Sequence, residues 1–292
     1  LQEQGYQVTG VYMKNWTQDL PGMQCPWADD LADAKRVAVQ LGIDLKVYDF
    51  EAEYRDKVVQ YMIDAYQQGY TPNPDIMCNQ EVKFKLFLEA ALADGADYIA
   101  TGHYATTKQG QLYRAVDENK DQTYFLYRVT ERALQHTLLP LGGYTKPQVR
   151  AMATERSLYT AAKKDSQGIC FVGKVGIREF LSQYVTTQPG PIIEQASGRQ
   201  LGVHDGAIFY TLGQRHGLQL GGGLPYYVVG KDMARNEVYV STDLNNQAMW
   251  RDKLELGALH WINGQPGDGM YQARIRHRAP LVPAELVGTT LH

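Results

Sequence analysis

Between Val8 and Thr101, short apolar runs alternate with amphipathic helical stretches, and this alternation limits the possible folds more than any other feature. Val8–Tyr12, Leu45–Phe50 and Tyr98–Thr101 have the length and β-branched or aromatic content of buried strands. Between them the spacing predicts helices over Asp29–Leu41, with Leu31, Ala34, Ala38 and Leu41 inward, and over Tyr54–Gln68, with Val58, Met62 and Ala65 inward. A third helix starts at Pro74 and buries Phe84, Phe87, Leu88 and Ala91; Gly42, Gly69 and Gly95 close the three. Strands separated by helices make an α/β fold with a parallel sheet covered on both sides, and such sheets bind ligands beyond the carboxyl ends of their strands. Two such ends stand out, Met13-Lys14 and Gly102-His103-Tyr104.

Further along, Gln111–Val116 is a predicted strand, Asn119–Tyr127 begins as a polar turn or binding loop, and Leu138–Gly143 is a turn-rich break. Thr145 caps a helix with Pro147 in its first turn that runs to about Ser157. Lys163–Phe171 is a loop entering a strand, and Ile177–Tyr184 is one more helix. Past Gln188-Pro189-Gly190-Pro191, helical periodicity gives way to closely spaced turn signals, the pattern of small β modules. A chain of 292 residues exceeds one compact core. The expected domains are 1–185, 186–250 and 251–292. The glycine triplet at 221–223 precedes Leu224-Pro225 rather than a lysine and a helix, so it is a turn and not a phosphate loop.

The chemistry concentrates in Thr71-Pro72-Asn73-Pro74-Asp75-Ile76-Met77-Cys78-Asn79. Asn73 is placed as an N-cap and Pro74 as the first helical residue, which sets Asp75 and Cys78 on one face of the first turn. The positive helix end favours a thiolate, whereas an ionised Asp75 opposes it; the two fit together if Asp75 relays protons. An N-terminal charge complement beside a small buried thiol would leave the same residues. His103 likewise suits either a ligand contact or a structural histidine.

Net charge is −3, so an RNA partner would need a local basic stripe. Arg274, Arg276 and Arg278 alternate along a predicted strand and would point to one side, a pattern that a solvated strand face also shows. No apolar run of about 18 residues occurs, and residues 1–5 lack signal-peptide character. The three cysteines, Cys25, Cys78 and Cys170, are spaced unlike a disulfide framework or a metal knuckle. A cytoplasmic protein without a membrane segment or a tightly bound metal is expected.

Four motifs occur in order: the Asn-Pro-Asp-Ile-Met-Cys segment, Ala100-Thr101-Gly102-His103-Tyr104, Asn119-Lys120-Asp121-Gln122-Thr123-Tyr124-Phe125-Leu126, and Lys164-Asp165-Ser166-Gln167-Gly168-Ile169-Cys170-Phe171. With them the chain resembles the bacterial-type tRNA-specific 2-thiouridylases over essentially its whole length. The resemblance implies a parallel-sheet ATP-pyrophosphatase (PP-loop) domain, a small central β domain and a C-terminal β-barrel, here cut short. It implies that ATP, with Mg2+, adenylates the 2-oxygen of the wobble uridine in tRNA. Sulfur then arrives as a persulfide on Cys170, supplied by a sulfur-carrier protein or a cysteine desulfurase. Cys78 is the implied partner thiol, closing a Cys78–Cys170 disulfide, and Asp75 the implied general acid/base. Met13 and Gly102 match the family's nucleotide contacts. Asn73, Pro74, Asp75, His103, Lys120, Asp121, Gln122, Arg276 and His277 match its tRNA contacts. Lys163 and Lys164 would favour an anionic sulfur at Cys170, and Cys25 has no implied role.

The family's opening strand and Ser-Gly-Gly-Val-Asp-Ser-Ser phosphate loop do not occur here, so weak ATP binding by this chain is expected. Three other functions compete. A related adenylating ligase would need no thiol pair, and a tRNA-binding remnant would bind RNA in a salt-sensitive, ATP-independent way. A simple thiol oxidoreductase or a zinc site would need a Cys-x-x-Cys or clustered Cys/His pattern, which does not occur.

Overall fold

The computed structural model describes residues 1–19, 25–163, 176–221 and 223–292. These divide into two units: the first takes in Leu1–Val59, the described part of Pro74–Val175 and Gly257–Leu286, the second Gln60–Asn73, Gly176–Leu256 and Val287–His292.

In the first unit, β1 (Gly10–Lys14) runs parallel to β2 (Leu45–Asp49), with Gly10 opposite Leu45 and Lys14 opposite Asp49. The crossover contains the helix Trp27–Leu41, which packs on both strands. Asp29 and Asp30 in its first turn complement the helix dipole, and Gly42 leaves it in a left-handed conformation. Leu41, expected inside, is 39% exposed at the last position of the helix, which Gly42 ends. A second parallel pair joins β3 (Ile99–Ala100) to β6 (Thr137–Leu138). The parallel α/β arrangement expected from the alternation is therefore present, distributed over two strand pairs.

Strand β6 was not expected, and its second residue, Leu138, falls in the stretch read as a turn-rich break. Two residues hold no periodicity to detect, and the strand exists because the edge of β3 accepts it. Also missed was β4 (Ala105–Lys108), which forms an antiparallel hairpin with β5 (Gln111–Arg114). Gln109 and Gly110 both have positive φ, 52° and 78°, as a two-residue type I′ turn requires.

The central helix of this unit runs from Pro74 to Ala93 in three sections: α-helical Pro74–Met77, π-helical Cys78–Leu86 and α-helical Phe87–Ala93. Its expected inner face is fully buried, with Phe84, Phe87, Leu88 and Ala91 packed against Ile99, Leu126 and Leu134. The π register was not expected, since the apolar spacing alone does not distinguish it from α. Near the chain's end, strands Gly269–Ala273 and Val282–Val287 form an antiparallel hairpin.

In the second unit a four-stranded sheet has the order β8-β7-β10-β9, from β7 (Gly190–Glu194), β8 (Gln200–His204), β9 (Tyr227–Asp232) and β10 (Glu237–Ser241). Val238 and Val240 on β10 alternate with more exposed residues and are buried with Ile192, Tyr210 and Val228, the period-two pattern of a one-sided sheet. Leu254–Glu255 pairs with Thr290–Leu291. Among the described residues no closed barrel is formed.

Candidate functional site

All the geometry below lies within the first unit. Pro74 opens the central helix, so Asp75 stands in its first turn and Cys78 one turn later. Cys78 is 4% exposed. Asp75 is largely buried, and desolvation pushes its carboxyl above the ordinary carboxylate range, partly offset by the Lys83 charge. A carboxyl raised in this way can hold a proton and release it. Asn73 precedes Pro74 in the chain, in the position predicted for a cap.

Residue Asn79 follows the thiol, and its Nδ2 donates to the Phe125 carbonyl at 3.0 Å, tying the helix to the Asn119–Tyr127 loop. That loop has its own frame. Asp121, 1% exposed, accepts from the Ala115 N–H at 2.8 Å and from the Thr123 hydroxyl at 2.5 Å. Asp117 accepts from the N–H groups of Asn119, Lys120 and Lys146. Gln122 makes a reciprocal pair with Tyr104: its N–H donates to the Tyr104 carbonyl and its Oε1 accepts from the Tyr104 N–H, both at 2.9 Å. The predicted tRNA loop is thus fastened beside His103.

The His103 ring is 8% exposed, pairs with the Thr101 hydroxyl at 2.8 Å and leans on Phe84 at 5.5 Å between ring centres. Burial, with the Lys83 charge adding to it, pushes its pKa down to about 3, so the ring is neutral at physiological pH.

Along β1 and β3 lies a cavity of about 910 Å³, lined on one side by Tyr6–Val11 and Met13 and on the other by Asp94–His103, with Lys83 and Gln122. Met13 and Gly102, assigned to the nucleotide from sequence, therefore face one space. A side chain at Gly102 would touch only Leu141, at 3.8 Å, which leaves the backbone open to a close ligand. Its volume is within the range of small-molecule sites.

The basic stripe is not a strand. The strand stops at Ala273, and 274–278 is a turn, with Arg278 at φ +64°. The alternation of Arg274, Arg276 and Arg278 therefore does not place them on one strand face. Instead the turn docks on the Asn119–Tyr127 loop. The His277 ring packs on Phe125 at 4.6 Å and Tyr124 at 6.0 Å, the Tyr124 hydroxyl donates to the Ile275 carbonyl, and Arg278 donates to the Asn119 carbonyl. Burial and the neighbouring Arg278 and Arg274 push the His277 pKa down. Two separately predicted RNA-contact groups, 120–122 and 276–277, thus share one surface. Tyr124 and Phe125, which make the joint, were not singled out; an aromatic pair in a polar loop was the available signal.

The Lys163 ammonium sits 2.7 Å from both Asp30 and Asp33, whose carboxylates raise its pKa and pair with its charge; its expected effect on Cys170 involves a residue outside the described ones. Lys164, Cys170 and the disulfide expected between Cys78 and Cys170 lie outside the described residues. No cluster of metal-ligating side chains occurs among the described residues.

Comparison with known proteins bears on this assembly of thiol, carboxyl and cavity. A family model described as the tRNA methyl transferase HUP domain matches residues 1–174, and one described as the tRNA methyl transferase PRC-barrel domain matches 178–242. A tRNA-specific 2-thiouridylase MnmA from Idiomarina loihiensis is 46% identical over 98% of this chain and 80% of its own. The MnmA of Legionella pneumophila is 48% identical over 90% of this chain and 75% of its own. That of Bacillus mycoides is 45% identical over 95% and 76%. The chain belongs to the tRNA-specific 2-thiouridylase family. Membership accounts for the α/β first unit and for the β sheet of the second, and it agrees with the resemblance carried by the four motifs. No described helix is long and apolar enough to cross a membrane.

Proposed function

We propose that the chain thiolates the 2-position of a uridine in tRNA in an ATP-dependent reaction, acting as a sulfurtransferase in the cytoplasm. The observation that carries this reading is the central helix. It bears a buried thiol, Cys78, one turn from Asp75, whose carboxyl burial pushes above the ordinary range, and the same helix sends Lys83 to the cavity of Met13 and Gly102. Replacing an oxygen by sulfur needs a leaving group, a soft nucleophile and proton transfer, and these residues suit that division of work. The methyl transfer in the family models' descriptions gives the Asp75–Cys78 pair no evident task.

In this reading Met13 and the open backbone of Gly102 would hold ATP, with Mg2+, which would supply adenylation of the 2-oxygen with release of pyrophosphate, so that the oxygen can leave as AMP. Asn73, Pro74 and Asp75 approach the target base, while His103, Lys120, Gln122, Arg276 and His277 hold the RNA. Asp121, facing inward, serves the tRNA surface by bracing its loop. Cys170 receives sulfur from a persulfide carrier or a desulfurase. Its terminal sulfur forms the new C2–S bond as the activated oxygen departs, and Asp75 takes up or returns the proton. The Cys78 thiolate then attacks the Cys170 sulfur, breaking the S–S bond. The sulfur stays on the base, and a Cys78–Cys170 disulfide remains for an external thiol to reduce.

The test is a thiolation assay on unmodified tRNA with ATP and a persulfide donor, read as retardation in a mercury-containing gel. Wild-type chain should give the retarded band only with ATP, and Cys170→Ala and Cys78→Ser should not give it. Thiolation by Cys170→Ala would refute the sulfur route. Salt-sensitive tRNA binding with neither thiolation nor ATP dependence would favour the remnant reading.

A further inference from the structure

The histidine just beyond β3 has two ring nitrogens, and the fold treats them differently. Nδ1 of His103 lies 2.8 Å from the Thr101 hydroxyl. Nε2 has no hydrogen-bond partner among the described residues, yet it is not sealed off, because His103 lines the cavity along β1 and β3. Phe84 covers the ring at 5.5 Å between centres, and the residue as a whole is 8% exposed. A ring held in this way meets a ligand through one polar atom, Nε2.

A neutral imidazole carries one ring hydrogen on nitrogen, and the bond made by one nitrogen decides which of the two keeps it. Among the described residues the Thr101 hydroxyl has no acceptor other than Nδ1. If Nδ1 donated, the hydroxyl hydrogen would be left without a described acceptor at a half-buried position, and Nε2 would be a bare lone pair. If the hydroxyl donates to Nδ1, both hydrogens are used and Nε2 carries an N–H toward the cavity. Thr101 is itself fixed, since its backbone N–H donates to the Leu138 carbonyl of β6 at 3.2 Å. The ring is also kept uncharged, first by burial and second by the Lys83 charge, which hold its pKa down at about 3. A charged histidine would donate from both nitrogens and lose the distinction.

Resting on the function proposed above, in which His103 holds the RNA, we propose that Thr101 is the positioning residue of that contact. Its hydroxyl donates to Nδ1 and fixes His103 as the Nε2–H tautomer, an uncharged donor to an oxygen of the bound RNA. Such a donor selects its acceptor by direction and distance rather than by charge. Unlike Lys120 or Arg276 in the same reading, it releases no counterion when it binds, so it adds nothing to the salt dependence.

Two measurements test it. The first is nitrogen-15 NMR of chain labelled in histidine, with the His103 signals assigned by their absence in His103→Gln. Wild type should show Nδ1 unprotonated and Nε2 protonated, unchanged from pH 8 to pH 5, and Thr101→Val should shift toward a mixture of tautomers. A protonated Nδ1 in wild type, or a Thr101→Val ring that keeps the wild-type pattern, would overturn the assignment. The second is filter binding of unmodified tRNA. Thr101→Val should bind about two- to tenfold more weakly, the size of one neutral hydrogen bond, with the slope of log K against log salt unchanged. Thr101→Ser should restore the affinity. Undiminished binding by Thr101→Val, or a serine that does not rescue, would also overturn the assignment. A transcript abasic at the target position locates the acceptor: a penalty that persists there puts it on the RNA backbone, and one that vanishes puts it on the base. Wild-type chain that shows the tautomer and the binding penalty but makes no thiouridine would instead refute the proposed function and leave the Thr101–His103 pair standing.

Discussion

Replacing Asp121 separates a bracing role from direct RNA contact. The carboxylate is 1% exposed and accepts two hydrogen bonds, from the Ala115 N–H and the Thr123 hydroxyl. In Asp121→Ala the Ala115 N–H, itself buried, loses its partner, while the half-buried Thr123 hydroxyl can turn toward water. An unsatisfied buried donor costs about 1–3 kcal/mol, and the loss of a second, charge-assisted bond adds on the order of 1 kcal/mol. The expected loss is therefore about 2–4 kcal/mol, a drop in Tm on the order of 10 °C for a unit of this size. Asp121→Asn keeps one acceptor oxygen but sets an amide N–H against one of the two donors, unless it turns its NH₂ to the Thr123 oxygen, which can accept. It should cost roughly half as much. Thermal unfolding followed by tyrosine and tryptophan fluorescence gives the stability, and filter binding gives the tRNA affinity. Bracing predicts that both fall together and that Asn lies between Asp and Ala. If Asp121→Ala unfolds within about 0.5 kcal/mol of wild type, as surface changes do, while tRNA affinity collapses, the brace is wrong and Asp121 is a contact residue.

Asp75→Asn should cut thiolation by about 10²–10⁴, the usual size of a general acid–base contribution. Stability should move the other way. A carboxyl whose folded pKa is raised favours the fold below its unfolded pKa, and that advantage is lost as pH rises through the folded pKa. Near neutral pH the asparagine variant should therefore be the more stable, its margin disappearing in acid, as urea melts at several pH values would record; a variant less stable at neutral pH would contradict the raised pKa. Lys120→Ala and Arg276→Ala should each weaken tRNA binding across tRNA sequences. Each should also lower the slope of log K against log salt by about 0.7–0.9, and an unchanged slope would remove that residue from the phosphate contacts.

The alternation of strand and helix, the helix ends at Gly42, Gly69 and Gly95, and the buried face of Phe84, Phe87, Leu88 and Ala91 were all legible in the chain. Each is a local pattern in which residue period and backbone freedom record which side meets the core. The placement of Asp75 and Cys78 on one helix was legible for the same reason, because three residues along a helix fix their relation. What the tertiary structure decided are relations between distant segments. Strand β6 forms from two residues because an edge is waiting for it. Arg274–Arg278 leaves the strand pattern and docks through His277 on Phe125, some 150 residues away (277 − 125 = 152). Lys163 spends its charge on Asp30 and Asp33. Lys83 reaches the cavity through a π register whose apolar spacing matches that of an α-helix. Periodicity states that a side chain is buried or exposed; its partner is chosen by shape and charge complementarity, which appears only once the chain is folded.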